Sequence, residues 1–256
     1  TLEALADNGI KYTILAPRQG KAIRKIGDAE WTELAPDSID PRHPYLCKLP
    51  SGKTIVLFFY HGGIAQGVAF DGYLNDGEYF ASKFQEVFDQ DDSFQLAHIA
   101  TDGESYGHHH RHGEMALAAC LQAIQNNPEV KLTNYGQYLE LAEIEYEAQI
   151  HEKSSWSCVH GVERWRSDCG CHTGGHTDWN QAWRKPLRET LNWLRDELIP
   201  LYLRETEHLL HHPWEARNAY IQVILDRSPE NIDAFLAKYT KGKLSRSQKT
   251  RVLRLL

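Results

Sequence analysis

The residues best suited to chemistry in this chain stand in one glycine-rich turn. Asp102, Glu104, Tyr106 and His108 fall within LAHIATDGESYGHHHRHGE, from Leu96 to Glu114. Asp102 and Glu104 are two positions apart, and in extended backbone side chains at i and i+2 project to the same face. Two carboxyls on one face push each other's pKa values apart, which is how one of them holds a proton near neutral pH. Gly103 and Gly107 permit a sharp reversal and leave room beside a substrate. A purely structural use of the same residues also exists, with Asp102 and Glu104 capping the helix that follows. The run His108-His109-His110-Arg111-His112 adds a metal option. On a helix His108 and His112 would share a face, and with Asp102 they would form a three-ligand site for a hydrolytic ion. In a sugar cleft the same imidazoles would instead donate and accept hydrogen bonds.

A second concentration of reactive side chains is SSWSCVHGVERWRSDCGCHTGG, from Ser154 to Gly175. Cys158, Cys169, Cys171, His160, His172 and His176 are donors of the kind zinc takes. Their spacing offers one C-x-C, Cys169-Gly170-Cys171, and no second pair. Packed thiols in an ordered loop are therefore the expectation. Cys158, Cys169, Cys171 and His172 stand as the metal candidates, and no cofactor is expected. The chain has no phosphate loop, no dinucleotide fingerprint and no G-x-S-x-G elbow.

The elements that must position these residues follow from apolar runs. Leu96–Ala100 reads as a strand delivering Asp102 to its turn, and Glu114 to Gln125 reads as the helix behind it. That is a βα unit, and in α/β folds ligands bind in the loops after the strand C-termini. Upstream, Leu2 to Asn8 reads as a helix stopped at Gly9. Ile10 to Ala16 reads as a buried strand closed by Pro17. Thr54 to Tyr60, TIVLFFY, is a continuous apolar run of the kind parallel sheets need, and it ends in the polar glycine turn His61-Gly62-Gly63. Between these two strands Gly20 to Pro50, with Pro36, Pro41, Pro44 and Pro50, reads as a surface excursion. Gly77 to Asp89 has helical spacing, Val130 to Leu132 is strand-like, and Tyr135 to Glu147 reads as a helix. The pattern implies a parallel sheet with right-handed crossovers. Four strands are too few to close a barrel of about eight, so the sheet is open or the chain is part of something larger.

From Asp178 the spacing becomes helical throughout. Trp179, Trp183, Leu187, Leu191, Leu194 and Leu198 form a stripe read as core, interrupted at Pro186 and Pro200. Further helices are expected over Leu201–Leu210, Trp214–Leu225, Ile232–Tyr239 and Ser245 onward, with Ser228 and Pro229 starting the third of these. The chain thus divides into an α/β portion over 1–150, a Trp/Cys/His-rich junction loop over 151–177 and a helical domain over 178–256. Across its 256 residues the hydrophobic share is 41%, the charged share 25% and the net charge −7. These values suit a globular protein and argue against a nucleic-acid or membrane partner. The longest strongly apolar run, Ile55 to Tyr60, is far too short for a bilayer. Five cysteines without a framework, and no signal peptide, point to a cytoplasmic location.

D-G-E-x-x-G-H at Asp102–His108 resembles the fourth signature block of glycoside hydrolase family 57. Ser154-Ser155-Trp156, Gly161 and Trp165 resemble the block at that family's barrel-to-helix junction. GIKYTILAP at Gly9–Pro17 and LFFYHGGIAQGVAF at Leu57–Phe70 resemble members that carry an uncharacterised C-terminal helical region. WNQAWRKPLRETLNWLRDEL and WEARNAYIQVILDRS resemble that region itself. The resemblance implies the second half of a (β/α)7-type barrel followed by helices, in an enzyme acting on α-glucans by retaining double displacement. Asp102 would be the catalytic acid/base. Glu104, His108, His61, Tyr60, Trp156 and Trp165 would bind the oligo- or polysaccharide. The family's nucleophilic Glu is expected upstream of Thr1, since Glu3 falls within a helix. The chain is therefore expected to carry half a site, to be inactive alone and to self-associate through uncovered apolar edges. The other readings are a metal-dependent carbohydrate hydrolase or deacetylase using Asp102, His108 and His112, and a non-catalytic sugar-binding protein.

Overall fold

The computed structural model describes residues 1–90, 93–172, 174–176 and 178–256. They form two compact units, 1–162 and 163–256. The first is built on a six-stranded sheet: β1 Tyr12–Leu15, β2 Gly20–Lys25, β3 Thr32–Glu33, β4 Tyr45–Lys48, β5 Thr54–Phe59 and β6 Tyr146–Ile150. The spatial order is β1-β5-β4-β6-β2-β3. β1 pairs with β5 in parallel, as does β4 with β6. The β4–β5, β2–β6 and β2–β3 pairs are antiparallel.

This mixed sheet corrects the expectation of a parallel one. The proline-rich stretch read as a surface excursion supplies β2, β3 and β4. Its prolines, Pro36, Pro41, Pro44 and Pro50, all fall between strands, where a missing N–H costs nothing. In β4 the period is two: Tyr45 and Cys47 are buried, Leu46 half-buried and Lys48 exposed. The helix expected over Tyr135–Glu147 ends at Leu141, and the chain re-enters the sheet as β6. What hides this strand in the sequence is Glu147, 2% exposed at the sheet's centre. Its carboxylate accepts from Arg24 of β2 at 2.5 Å and also binds Lys48 of β4. The two cations hold it well below its usual carboxylate range, with the Lys48 hydrogen bond the largest influence.

β5 matches its apolar run because both of its faces are covered. Leu57 and Phe59 pack with Ile39, Tyr45, Cys47, Ile55 and Ala148, while Phe58 packs with Leu96 and Tyr138 on the other side. Leu96–Ala100, expected as a strand, is an extended segment outside the ladders. It is tied by Leu96 N–H to the Arg42 carbonyl at 3.0 Å and by its His98 carbonyl to His61 N–H at 3.0 Å.

Five helices complete this unit: α1 Leu2–Asp7, α2 Gly62–Phe70, α3 Gly77–Gln85, α4 Gly113–Asn126 and α5 Tyr135–Leu141. Gly9, at φ +77°, ends the first in the left-handed region. The expected turn at His61-Gly62-Gly63 is in fact the start of α2. Asp76 caps α3 by accepting from Glu78 N–H at 2.9 Å and Tyr79 N–H at 3.1 Å. α2, α3 and α4 share a core of Ile64, Val68, Leu74, Phe80, Ala116 and Cys120.

The second unit is helical: α6 Arg184–Thr206, α7 Pro213–Ala219, α8 Ile221–Leu225, α9 Pro229–Tyr239 and α10 Arg246–Leu255. Its core is Leu209, Leu210, Ala216, Val223, Phe235, Leu236 and Val252. Ser228 caps α9 as expected, accepting from Asn231 N–H, and Ser245 with Gln248 makes a capping box on α10. Two expectations fail here. α6 runs unbroken through both prolines, because Pro186 lies in the first turn, where its N–H is not needed, and a single interior proline is tolerated at Pro200. The Trp/Leu stripe read as core is exposed, with Trp179 at 69% and Leu191 at 50%. Helical spacing specifies an apolar face and says nothing of what covers it. No helix of the described residues is long and apolar enough to cross a membrane.

Candidate functional site

The turn that carries the sequence motif begins where the extended segment after Leu96 runs out. Asp102 keeps extended backbone (φ −67°, ψ 136°), and Gly103–Ser105 closes one 3-10 turn. A 3-10 turn advances about 120° per residue, so the extended-chain argument that set Asp102 and Glu104 on one face does not apply. Asp102, Glu104 and His108 are all exposed, and Ser105 between them is buried. The turn is braced from below: the Thr101 and Tyr106 hydroxyls lie 2.9 Å apart, and His109 N–H donates to the Glu104 carbonyl at 2.8 Å. The His110 ring donates from Nε2 to the Ala69 carbonyl at 3.1 Å, tying the turn to α2. Gly107 sits at φ +123° with Glu114 Oε2 close to where a Cβ would stand.

Asp102 occupies the N-cap position of its 3-10 turn, yet its side chain makes no capping hydrogen bond. α4 behind it starts from His112, in the left-handed region at φ 65°, also without a side-chain cap. The capping role that competed with the acid/base role is therefore not exercised. The contrast with Asp76, whose carboxylate is fully engaged on α3, is direct.

His61, at the end of β5, is 8% exposed. Its Nδ1 donates to the His98 carbonyl at 3.1 Å, which leaves Nε2 as the acceptor. That atom has no hydrogen-bond partner among the described residues, and it is not one of the sealed, orphaned atoms. Burial pushes the His61 pKa down, so the ring is neutral at pH 7. Tyr60, half-buried beside it, donates its N–H to the Leu15 carbonyl of β1, and burial raises its phenol pKa.

Sequence reasoning missed His98. It is 7% exposed, with Nε2 donating to the Pro41 carbonyl at 3.0 Å and Nδ1 2.9 Å from the Tyr135 hydroxyl. Its ring stands edge-on to His61 at 5.7 Å and to Phe58 at 5.9 Å. Burial lowers its pKa to about 4. A lone histidine inside the apolar run LAHIA was its only signal.

A cavity of about 960 Å³ lies elsewhere in this unit. Phe80, Phe84, Ile99, Leu117, Ile124 and Tyr135 supply much of its wall. Thr101 and Tyr106 reach it, and Asp102 does not. Trp156 and Trp165 are 58% and 48% exposed, available to stack on a sugar ring in the way exposed aromatics do.

Among the described residues, Asp102, His108 and His112 do not gather into a ligand set. The turn through His108–His112 is not helical, so the four-residue spacing brings no shared face. The junction loop does gather one: Cys158, His160, Cys169 and Cys171. His172, the histidine expected there, is otherwise engaged, its Nδ1 accepting from Gly174 N–H at 2.9 Å.

Residues 179–256 match the family described as a domain of unknown function, DUF3536. No curated protein matches the chain. Among solved structures, an exo-type maltose-forming amylase from a Pyrococcus species aligns with 95% of this chain and 42% of its own, at a TM-score of 0.58 and 13% identity. A 4-α-glucanotransferase from Thermococcus litoralis aligns with 59% of this chain and 22% of its own, at a TM-score of 0.43 and 18% identity. The chain spans less than half the length of either. The chain thus shares the fold of the amylase along most of its length, and its C-terminal residues match DUF3536.

Proposed function

We propose that residues 1–256 are a portion of a retaining, α-glucan-active glycoside hydrolase or glucanotransferase, with Asp102 as the acid/base carboxyl. The observation that carries this reading is the unengaged Asp102 side chain, exposed and free of any capping bond. It stands four residues after His98, whose carbonyl binds His61 at the end of β5. The fold shared with the maltose-forming amylase supports the same reading.

In a retaining reaction one carboxylate attacks the anomeric carbon while the second carboxyl protonates the leaving oxygen, then deprotonates the incoming water or sugar hydroxyl. An exposed carboxyl where an extended segment meets a turn can make both transfers without breaking a contact the fold needs. Neutral His61 offers Nε2 as an acceptor for a sugar hydroxyl, and Tyr60, Glu104 and His108 add hydrogen-bonding groups nearby in sequence. Trp156 and Trp165 are assigned to stacking against sugar rings. The nucleophile is assigned to chain outside residues 1–256.

The test is a paired assay on maltooligosaccharides. Residues 1–256 are expected to give no turnover. The longer enzyme is expected to be active and to lose about 10²–10⁴ in kcat with Asp102→Asn, the usual worth of general acid–base catalysis. An active longer enzyme indifferent to Asp102→Asn overturns the assignment, as does Asp102-dependent turnover by 1–256 alone. Sugar binding without turnover in the longer protein would favour a non-catalytic binding role.

A further inference from the structure

We propose that the loop from Cys158 to Cys171 is a structural zinc site, with the Cys158, Cys169 and Cys171 thiolates and the His160 imidazole as its four ligands. It is local to one short stretch of chain and independent of the sugar-site reading.

The ligand atoms lie within 4.8 Å of one another. A tetrahedral ion with Zn–S near 2.3 Å and Zn–N near 2.0–2.1 Å sets neighbouring ligand atoms about 3.5–3.8 Å apart. Cys158 Sγ and His160 Nδ1 stand at 3.7 Å, the length of such an edge. The three cysteines are all in thiol form. Three sulfurs and one imidazole is a donor set that suits zinc, and four protein ligands leave no open position, which marks a structural site and not a catalytic one.

The loop backbone is shaped for this convergence. Cys158 and His160 are brought round by a turn in which Gly161 N–H donates to the Cys158 carbonyl at 3.0 Å. Gly161 sits at φ +63°, and a Cβ there would stand 2.2 Å from the Lys153 carbonyl oxygen, so the turn accepts only glycine. Gly170, between the two later cysteines, is at φ +80°. Binding releases three protons, one from each thiol, and leaves a complex of net charge −1 when the imidazole is neutral. Arg184 is placed to offset that charge, its Nη1 3.6 Å from Cys169 Sγ. Gln181 secures the same strand of loop, donating its side-chain amide to the Cys171 carbonyl. Such outer partners orient and tune metal ligands. The spacing, C-x-H followed by C-x-C, differs from the paired C-x-x-C pattern, which is why ligand spacing alone gave it little weight.

The test uses the 256-residue chain purified without chelator under reducing conditions. Elemental analysis is expected to give one zinc per chain. After chelator stripping, one equivalent of cobalt(II) should bind with tetrahedral visible bands and a thiolate-to-cobalt charge-transfer band, both displaced by zinc. Cys169→Ser with Cys171→Ser is expected to abolish the metal and the band, while His172→Ala keeps both. Substoichiometric zinc together with a cobalt titration lacking the thiolate band overturns the proposal without reliance on any variant's folding. A cobalt spectrum unchanged by the double serine variant, or its loss in His172→Ala alone, overturns the ligand assignment.

Discussion

His98 should make the first unit acid-sensitive well above the range in which carboxylates titrate. In the unfolded chain a histidine titrates near 6.5; buried here, His98 titrates at about 4. Between those values the unfolded chain binds a proton that the folded one refuses, so stability falls as pH falls from 6.5 towards 4 and is untouched above 7. The difference corresponds to about 1.4 kcal/mol lost at pH 5.5 and about 3 kcal/mol at pH 4, at 1.36 kcal/mol per unit. Hydrogen bonding does not supply the opposition. The Tyr135 hydroxyl can turn and accept from a protonated Nδ1, and the Pro41 carbonyl keeps its Nε2–H. What resists is desolvation among Phe58, Tyr135 and His61. The assay is amide hydrogen exchange at Phe58 and Phe59 of β5, from pH 7 to 4.5, in the wild type and His98→Gln after correction for intrinsic exchange. The wild type is expected to lose about 2.5 kcal/mol more opening free energy than the variant over that interval. Equal losses in the two proteins would show that His98 is not held neutral by burial.

Other perturbations test the frame around the site. Glu147→Gln removes the charge that Arg24 and Lys48 share across three strands, and is expected to cost about 2–4 kcal/mol in urea unfolding at pH 7. Because the folded carboxyl sits below its usual pKa, the difference between wild type and variant should shrink as pH drops below about 4.5. Gly67→Ala places a Cβ 2.2 Å from the Tyr73 ring, and a loss of about 1–3 kcal/mol is expected from overpacking the α2 contact. Asp76→Ala removes both capping bonds of α3 and should cost about 1 kcal/mol, read from the same unfolding curves. Asp102→Asn is expected to change stability by less than about 0.5 kcal/mol, as for a surface group without fold contacts; a larger loss would return Asp102 to a structural role.

What the sequence made legible follows burial on two sides. Tyr12–Leu15 and Thr54–Phe59 could be read because continuous apolar runs reflect strands covered on both faces. α9 carried a cap at Ser228 that sequence alone exposes. β2 and β4 were hidden because buried and less buried positions alternate along them, and β6 because it places a carboxylate at the sheet's centre. Glu147 reads as surface until Arg24 and Lys48 are brought beside it by pairing that no local window contains. The Trp/Leu stripe of α6 failed for the converse reason: its period was correct and its cover was assumed. At the site, the glycine turn around Asp102 was legible as a motif, but His98 was not, since one imidazole in an apolar run has no spacing to reveal it.

The junction loop shows the same limit in its chemistry. Counting donors gave Cys158, Cys169, Cys171 and, as the histidine, His172. The fold selects His160 instead, because Gly161 turns the chain back onto Cys158 while His172 spends Nδ1 on Gly174. A ligand's identity is thus decided by which ring nitrogen the backbone leaves available, and that is set by two glycines in the left-handed region. Replacing Gly161 by alanine puts a methyl group into the Lys153 carbonyl. It should therefore weaken cobalt binding in the stripped chain while every ligand side chain is still present. Unaltered cobalt affinity in Gly161→Ala would mean that the donors converge without help from this turn.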